Sequence, residues 1–398
     1  MGGRNLRAEC RKAACLPDSQ RNQDHRAHND HGGLDGVCHQ HGPHAAGGGE
    51  YQHHTHRNTE RHKLADTKQG LENLCQGNGD GGNHAQVASQ AQQQRYQPVG
   101  RSEVVLEQLR HRSDARLAEA GSAGPCAPVW IAVDQEGGRV RRLSAHNGFR
   151  DWPSALNMGR RSPQHTWETA LDMGLMLADM GINLNFAPSL DLHRPDSPAI
   201  GRQERAFSSE PAGVARHGAA FARGMRNARI VCCYKHFPGH GSARGDTHEG
   251  YADISETWSE RELEPYRDLL GRNLPAMVMV AHVTLRRLDD RPASLSPAVV
   301  TGLLREKLGF RGVIVTDDLD MEAVASQYPL KERIRLAVNA GADILLFGNN
   351  LHYDEELPFL VHAALMELID EGDIPPERIR ASYERIRELK AFVNNSRQ

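Results

Sequence analysis

From residue 129 onward, short continuous apolar runs alternate with longer segments of helical apolar spacing. The runs are VWIAV (129–133), INLNF (182–186), RIVCCY (229–234), AMVMVA (276–281), GVIVT (312–316) and DILLF (343–347). Helical patterns lie near 167–180, 210–228, 259–272, 296–308, 330–340, 355–371 and 376–394. A strand that is apolar along its whole length is buried on both faces, which occurs when helices cover a parallel sheet. The C-terminal ends of the runs narrow the choice further. Asp134 follows the first run, Lys235 and His236 the third, His282 the fourth and Asp317 the fifth, and Asn349 lies just beyond the sixth. An open sheet gathers its functional groups at one switch point, whereas a TIM-type (β/α)8 barrel collects them from many strand ends around one mouth. No G-x-G-x-x-G follows any run, which argues against a dinucleotide-binding sheet. The expected fold is therefore an α/β single-domain (β/α)8 barrel.

The chain changes character near residue 100. Residues 101–398 read as the barrel domain, opening with a helix over Ser102–Ala120 whose apolar face is Val105, Leu106, Leu109 and Leu117. Residues 1–100 are rich in His, Gly, Gln and Asn, as in HNDHGGLDGVCHQHGPHAAGGGEYQHHTHRN. So few apolar side chains do not offset the entropy of ordering a core. Three readings stand: a disordered segment, a His/Cys metal-binding tract without regular spacing, or a stretch that is no genuine domain, from a misassigned start or a shifted frame. Six runs are legible where a full barrel has about eight strands. The first strand and helix should precede residue 102, where they are either missing or unreadable. A barrel lacking them leaves two open edges.

Bulk properties exclude several classes. A formal net charge of −3 gives no polycationic surface for nucleic acid. No run of apolar residues is long enough to span a bilayer, so no membrane association is expected. The opening MGGRNLRAECRKAACLPDSQ has no apolar signal core, and the seven Cys include an adjacent pair, Cys232-Cys233, inside an apolar run but no C-x-x-C. Both features fit a reducing, cytoplasmic location.

Four motifs carry chemistry. Asp134-Gln-Glu-Gly-Gly-Arg-Val-Arg-Arg142 places charged residues around a glycine turn at a strand end, as a binding loop or as a tight turn with a surface ion pair. Lys235-His-Phe-Pro-Gly-His-Gly241 follows a buried strand, so Lys235 and His236 must find partners or face a cavity. Beyond it, Asp246 and His248 stand two apart in a loop, a spacing at which a carboxylate can hold one imidazole nitrogen and present the other. Alternatively His236, His240, Asp246 and His248 form a metal site. In Thr316-Asp317-Asp318-Leu-Asp320, adjacent carboxylates alternate in direction, so only one points into the mouth; otherwise the segment only caps a helix. Arg205, in IGRQERAF, is a candidate fork for sugar oxygens or a solvated arginine.

Taken in order, VDQEGGRVRR, INLNFAPSLDL, AIGRQERAFS, KHFPGHGSARGDTH, VMVAH and VIVTDDLDME make the chain from about 128 to its end resemble a family 3 glycoside hydrolase of the single-domain β-N-acetylglucosaminidase type. The resemblance implies that Asp317 is the catalytic nucleophile and His248 the acid/base, with Asp246 as its dyad partner. It implies that Asp134, Arg142, Arg205, Lys235 and His236 bind the terminal N-acetylglucosamine. Thr247 stands where the family usually has Ser, and extra residues around Gly201–Glu204 loosen the register of Arg205. The implied substrate is a small glycan, an N-acetylglucosamine-containing muropeptide of peptidoglycan recycling, and neither metal nor organic cofactor is needed.

The chemistry is coherent on its own terms. Retention needs two groups on opposite sides of the acetal, about 5–5.5 Å apart when both are carboxylates. Here an imidazole replaces one of them, protonated to expel the leaving group and neutral to activate water. The competing expectations are a metal-dependent barrel hydrolase and a truncated, non-catalytic barrel.

Overall fold

The computed structural model describes residues 129–245, 247, 250, 252–272, 274–349 and 353–395. The expected helix over 102–120, the segment 1–100, the first strand, Asp246 and His248 lie outside the described residues.

Five strands form one parallel sheet in the order β1 (Ala132–Val133), β2 (Leu184–Asn185), β3 (Val231–Phe237), β4 (Ala276–Val280) and β7 (Ile314–Thr316). Every pair is parallel, with Ala132 opposite Leu184, Leu184 opposite Val231, Cys232 opposite Ala276 and Val278 opposite Ile314. The sixth apolar run joins through Val315 and Ile344, and the amides of Asp343 and Ile344 both donate to the Ile314 carbonyl. Between these strands lie α1 (Ala155–Gly159), α2 (Pro163–Asp179), α3 (Pro211–Asn227) and α4 (Glu264–Leu270). A hairpin of β5 (Thr284–Leu285) and β6 (Asp289–Pro292) and a π-helical segment, Ala298–Lys307, separate β4 from β7. After β7 come α5 (Glu322–Ala325), α6 (Leu330–Ala340), α7 (Leu357–Asp370) and α8 (Pro376–Asn395).

The two-residue alternation of the strands sorts the core into two layers. Leu184, Val231, Cys233, Met277, Met279, Val313 and Val315 pack together on the inner face, joined by Phe186, Ile344 and Leu346. Cys232, Tyr234, Val278, Val280 and Ile314 point the other way, into a larger cluster with Leu177, Phe221, Met225, Leu269 and Leu304 from the helical layer. Burying each such side chain contributes about 1.5–3 kcal/mol, which is why the runs are apolar throughout. Helix starts follow local chemistry: Pro163 opens α2, and the Ser162 hydroxyl accepts from the His165 amide. Where α2 and α3 cross, Gly224 lets the backbones meet, since a Cβ there would press on the Trp167 carbonyl.

Helix α8 runs across the end of the sheet where the strands begin. Asp343, whose side chain is fully buried, accepts from Arg305, Ser382 and Arg385 at 2.6, 2.8 and 3.0 Å. Ile386 and Leu389 pack on the inner layer, and the Lys390 ammonium stands 5.1 Å over the Trp130 ring, just before β1. The architecture among the described residues is thus a parallel half-barrel of six segments between helices. Among the described residues its edges are β1, shortly before which Val129 is 53 % exposed, and the 343–347 segment.

Candidate active site

The C-terminal ends of the strands bring the charged groups together. β3 carries Lys235 on the inner face, above Cys233 and Val231. Its ammonium lies 2.8 Å from Asp134 Oδ1, just beyond β1, and 2.7 Å from Glu136 Oε1. Only 3 % of the Lys235 side chain is exposed, so the charge survives through its partners. Burial alone would discharge Lys235, but the carboxylates of Asp134 and Glu136 outweigh it and raise its pKa. Glu136 also receives a bidentate fork from Arg205, Nε to Oε2 at 3.0 Å and Nη2 to Oε1 at 2.8 Å. Burial would raise the Glu136 carboxyl; Arg205 and Lys235 hold it far below the ordinary carboxylate range. The turn that delivers Glu136 needs Gly137 at φ +93°, where a Cβ would also strike the Pro153 carbonyl oxygen.

Arg205 extends the network to His236, with Nη2 2.9 Å from Nε2 of the ring. A guanidinium only donates, so Nε2 accepts and the ring hydrogen sits on Nδ1. That nitrogen faces Asp191 Oδ2 at 2.6 Å. Asp191 is buried and also accepts from the Ser189 hydroxyl at 2.9 Å and the His240 amide at 2.7 Å. Burial would raise its carboxyl, but His236 and the His240 amide bring it down to about 2.

Asp317 follows β7 on the same inner parity as Val313 and Val315. Its amide donates to the Val280 carbonyl, and its Oδ1 accepts from the Asp318 amide at 2.9 Å. Burial would raise this carboxyl too, yet His282, His236, the Asp318 amide and Lys235 together lower it. Asp318 turns the other way: its Oδ1 accepts from the amides of Asp320 and Gly348 at 3.0 and 2.8 Å, tying the two last segments together. The pair therefore divides as the alternation predicts, one carboxylate in the mouth and one in the scaffold. Arg142 reaches Asp134 Oδ2 at 3.3 Å from the rim, with 59 % of its side chain exposed.

Of the expected site residues, Asp134, Arg142, Arg205, Lys235, His236 and Asp317 converge on this mouth. Thr247, between the two positions outside the described residues, places its hydroxyl 3.2 Å from His240 Nε2. No group of three metal-ligating side chains occurs among the described residues. The His236 lone pair that a cation would need already accepts from Arg205. Glu136 and Asp191 were not foreseen as site residues, although each lies inside a motif that points to the mouth, and His282 stood out only as a strand-end polar residue. Their signal is positional: a polar residue at or just past a strand end, later found buried.

The glycosyl hydrolase family 3 N-terminal domain matches residues 101–389. The chain belongs to glycosyl hydrolase family 3. It is accordingly a glycoside hydrolase, and the convergent strand ends are its candidate active site. Among its relatives is a β-hexosaminidase of Tolumonas auensis, 44 % identical over 232 residues, which cover 56 % of this chain and 67 % of that protein. The β-hexosaminidase LpqI of Mycobacterium tuberculosis is 35 % identical over 288 residues, 70 % of this chain and 72 % of that one. The M. tuberculosis LpqI structure superposes with a TM-score of 0.61 at 34 % identity, covering 70 % of this family 3 chain and 81 % of LpqI. A family 3 β-N-acetylglucosaminidase structure from Paenibacillus gives a TM-score of 0.62 at 36 % identity over 67 % of this chain and 50 % of that larger one. CbsA from Thermotoga neapolitana is likewise longer, and 56 % of its length is covered.

Proposed function

We propose that this chain is a retaining exo-β-N-acetylglucosaminidase. Asp317 is the nucleophile, His248 the acid/base and Asp246 the carboxylate that orients it, while Asp134, Arg142, Arg205, Lys235 and His236 hold the terminal sugar. The observation that carries the reading is the buried chain of ion pairs from Asp134 through Lys235, Glu136 and Arg205 to His236, with Asp317 beside it. Such a network holds donors and acceptors rigid at the mouth, which suits recognition of sugar hydroxyl and acetamido groups. The lowered carboxyl of Asp317 suits a group that must be anionic to attack. The names of the relatives, β-hexosaminidase and β-N-acetylglucosaminidase, point to the same substrate class.

In the first step a carboxylate oxygen of Asp317 bonds to the anomeric carbon as the glycosidic C–O bond breaks, and the departing oxygen takes the proton of His248. In the second, water gives that proton back to His248 while its oxygen replaces Asp317 at carbon. The proposed natural substrate is an N-acetylglucosamine-containing muropeptide, and the proposed site of action is the cytoplasm. No helix among the described residues is long and apolar enough to cross a membrane. We take residues 101–398 as one catalytic domain with the (β/α)8 closure of the family, and 1–100 as no part of it. The family match over 101–389 supports that division.

The test is release of p-nitrophenol from its β-N-acetylglucosaminide by the full chain. Asp317→Ala should abolish it, a 2-fluoro sugar should label Asp317, and a chelator should change nothing. Undiminished turnover in Asp317→Ala would remove the nucleophile, and loss on chelation would favour the metallohydrolase.

A further inference from the structure

His282 ends the run after β4 and is fully buried, yet no step above uses it. Its Nε2 lies 2.8 Å from the Asp318 carbonyl oxygen, and its Nδ1 lies 2.7 Å from Ser294 Oγ. A carbonyl only accepts, so Nε2 carries a hydrogen and donates it to Asp318. The β5–β6 excursion makes this possible. It returns the chain so that the Ser294 amide donates to the Ala281 carbonyl at 3.0 Å and the Ala293 amide to Val283 at 2.8 Å, and Ser294 lands against the ring.

The residue whose carbonyl His282 grips is the one whose amide serves Asp317. On one side of the Asp318 residue its carbonyl receives His282; on the other its amide donates to Asp317 Oδ1 at 2.9 Å. Asp317 is fixed from behind by its own amide bond to Val280, in the same β4 strand end. We propose that His282 is a positioning residue for the nucleophile: by holding the Asp318 carbonyl it keeps the Asp318 amide on Oδ1 and turns Oδ2 of Asp317 to the anomeric carbon.

This inference rests on Asp317 being the nucleophile. The charged and titratable groups that face Asp317 are His282 from β4, His236 and Lys235 from β3, and Cys233 beneath it, with Asp318 on its own segment. Burial raises the carboxyl, and His282 is the foremost of the groups that lower it. Lys235 is itself committed to Asp134 and Glu136. Losing His282 therefore moves the Asp317 ionisation upward, and with it the acidic limb of kcat/KM.

Three substitutions separate position from bulk. Gln at 282 restores a donor near the Nε2 position, Asn restores one only near Nδ1, and Leu restores neither. His282→Leu and His282→Asn should lower kcat/KM by about a hundredfold, the scale of a misplaced reacting group, and should shift the acidic limb to higher pH. His282→Gln should keep most of the activity, because its amide restores the bond to the Asp318 carbonyl, while its acidic limb moves with the other two because the imidazole is gone. Ser294→Ala loosens the same ring without altering the strand, and should give a few-fold loss with a smaller shift in the same direction.

Equal losses in Gln, Asn and Leu with an unmoved limb would overturn the proposal, as would wild-type profiles in both His282→Leu and Ser294→Ala. Should His282→Leu fail to fold, His282→Gln against His282→Asn, together with Ser294→Ala, decides by the size of the loss in kcat/KM. A wild-type chain that cleaves no β-N-acetylglucosaminide, or an active Asp317→Ala, refutes the underlying reading and this inference with it. An active wild type with the wrong pattern at position 282 refutes this inference alone.

Discussion

Asp191 Oδ2 and His236 Nδ1 meet at 2.6 Å in the buried floor of the mouth, and this contact fixes which ring nitrogen is left for Arg205. The carboxyl of Asp191 is down at about 2 against an ordinary 3.8. A lowered carboxyl adds stability above its unfolded pKa and loses it as pH falls through the folded value. Asp191→Asn should therefore be less stable than wild type by on the order of 2 kcal/mol near neutrality. The gap should close as pH falls from about 4 toward 2. Urea unfolding at stepped pH measures it; a gap that stays constant down to pH 2 would contradict the assignment.

Glu136 bridges two cations, Arg205 at 2.8 Å and Lys235 at 2.7 Å, with 4 % of its side chain exposed. Glu136→Gln keeps the shape but leaves Lys235 to Asp134 alone and Arg205 without its carboxylate. Breaking one partner of a buried pair costs about 3–5 kcal/mol. The variant should melt earlier and raise KM, because the groups proposed to hold the sugar lose their common anchor. Calorimetry and steady-state kinetics read the two effects.

Glu262 makes the opposite pH case. It is buried beneath Gly239 of the Lys235–Gly241 turn, and burial pushes its carboxyl up to about 7, the Ser242 hydroxyl pulling the other way. A raised carboxyl contributes its full stability below the unfolded pKa and loses it as pH rises through the folded value. Wild type should lose on the order of 3 kcal/mol between about pH 4.5 and 7 from this group. Glu262→Gln should be the more stable protein at pH 8 and show no advantage at pH 4. A Tm series across that range tests the crossing; parallel curves would refute it.

Asp343 holds α8 to the sheet through Arg378, Ser382 and Arg385 while also accepting from Arg305 and the Ile314 amide. Asp343→Asn leaves buried guanidinium groups uncompensated, at a cost of about 3–5 kcal/mol. Hydrogen exchange should speed up first in α8 and in the 343–347 segment, before β3 and β4. Uniform acceleration through the sheet would mean that α8 is not a separately released unit.

What was legible in the chain follows from what leaves a periodic trace. The helix over 330–340 is found at Leu330–Ala340, the run at 276–281 contains β4, and the run at 229–234 holds only the start of β3, which continues to Phe237. The DILLF run is less regular than its composition suggests, and among the described residues it pairs with β7 through a single bridge at Ile344. The β5–β6 hairpin escaped the reading, since Thr284 to Pro292 carries charged residues in place of alternation. The segment near 296–308 reads as an ordinary helix, and apolar spacing does not reveal the wider winding of Ala298–Lys307. At the mouth, strand-end position exposed Asp134, Lys235, His236 and Asp317. Asp191 and Glu136 were silent because their meaning lies in partners 45 and 69 residues away. His282 was visible as a strand-end polar residue, but its grip on the Asp318 carbonyl depends on a returning hairpin that no local pattern announces.

Helix α8 reaches from Asp343 to Trp130 under the open end of the inner layer, opposite Asp317. A chain halted before Pro376 would already hold Asp317 and the groups proposed to bind the sugar, above a sheet whose underside is still wet. The interior is thus closed from below only once Pro376–Asn395 has been made and has docked.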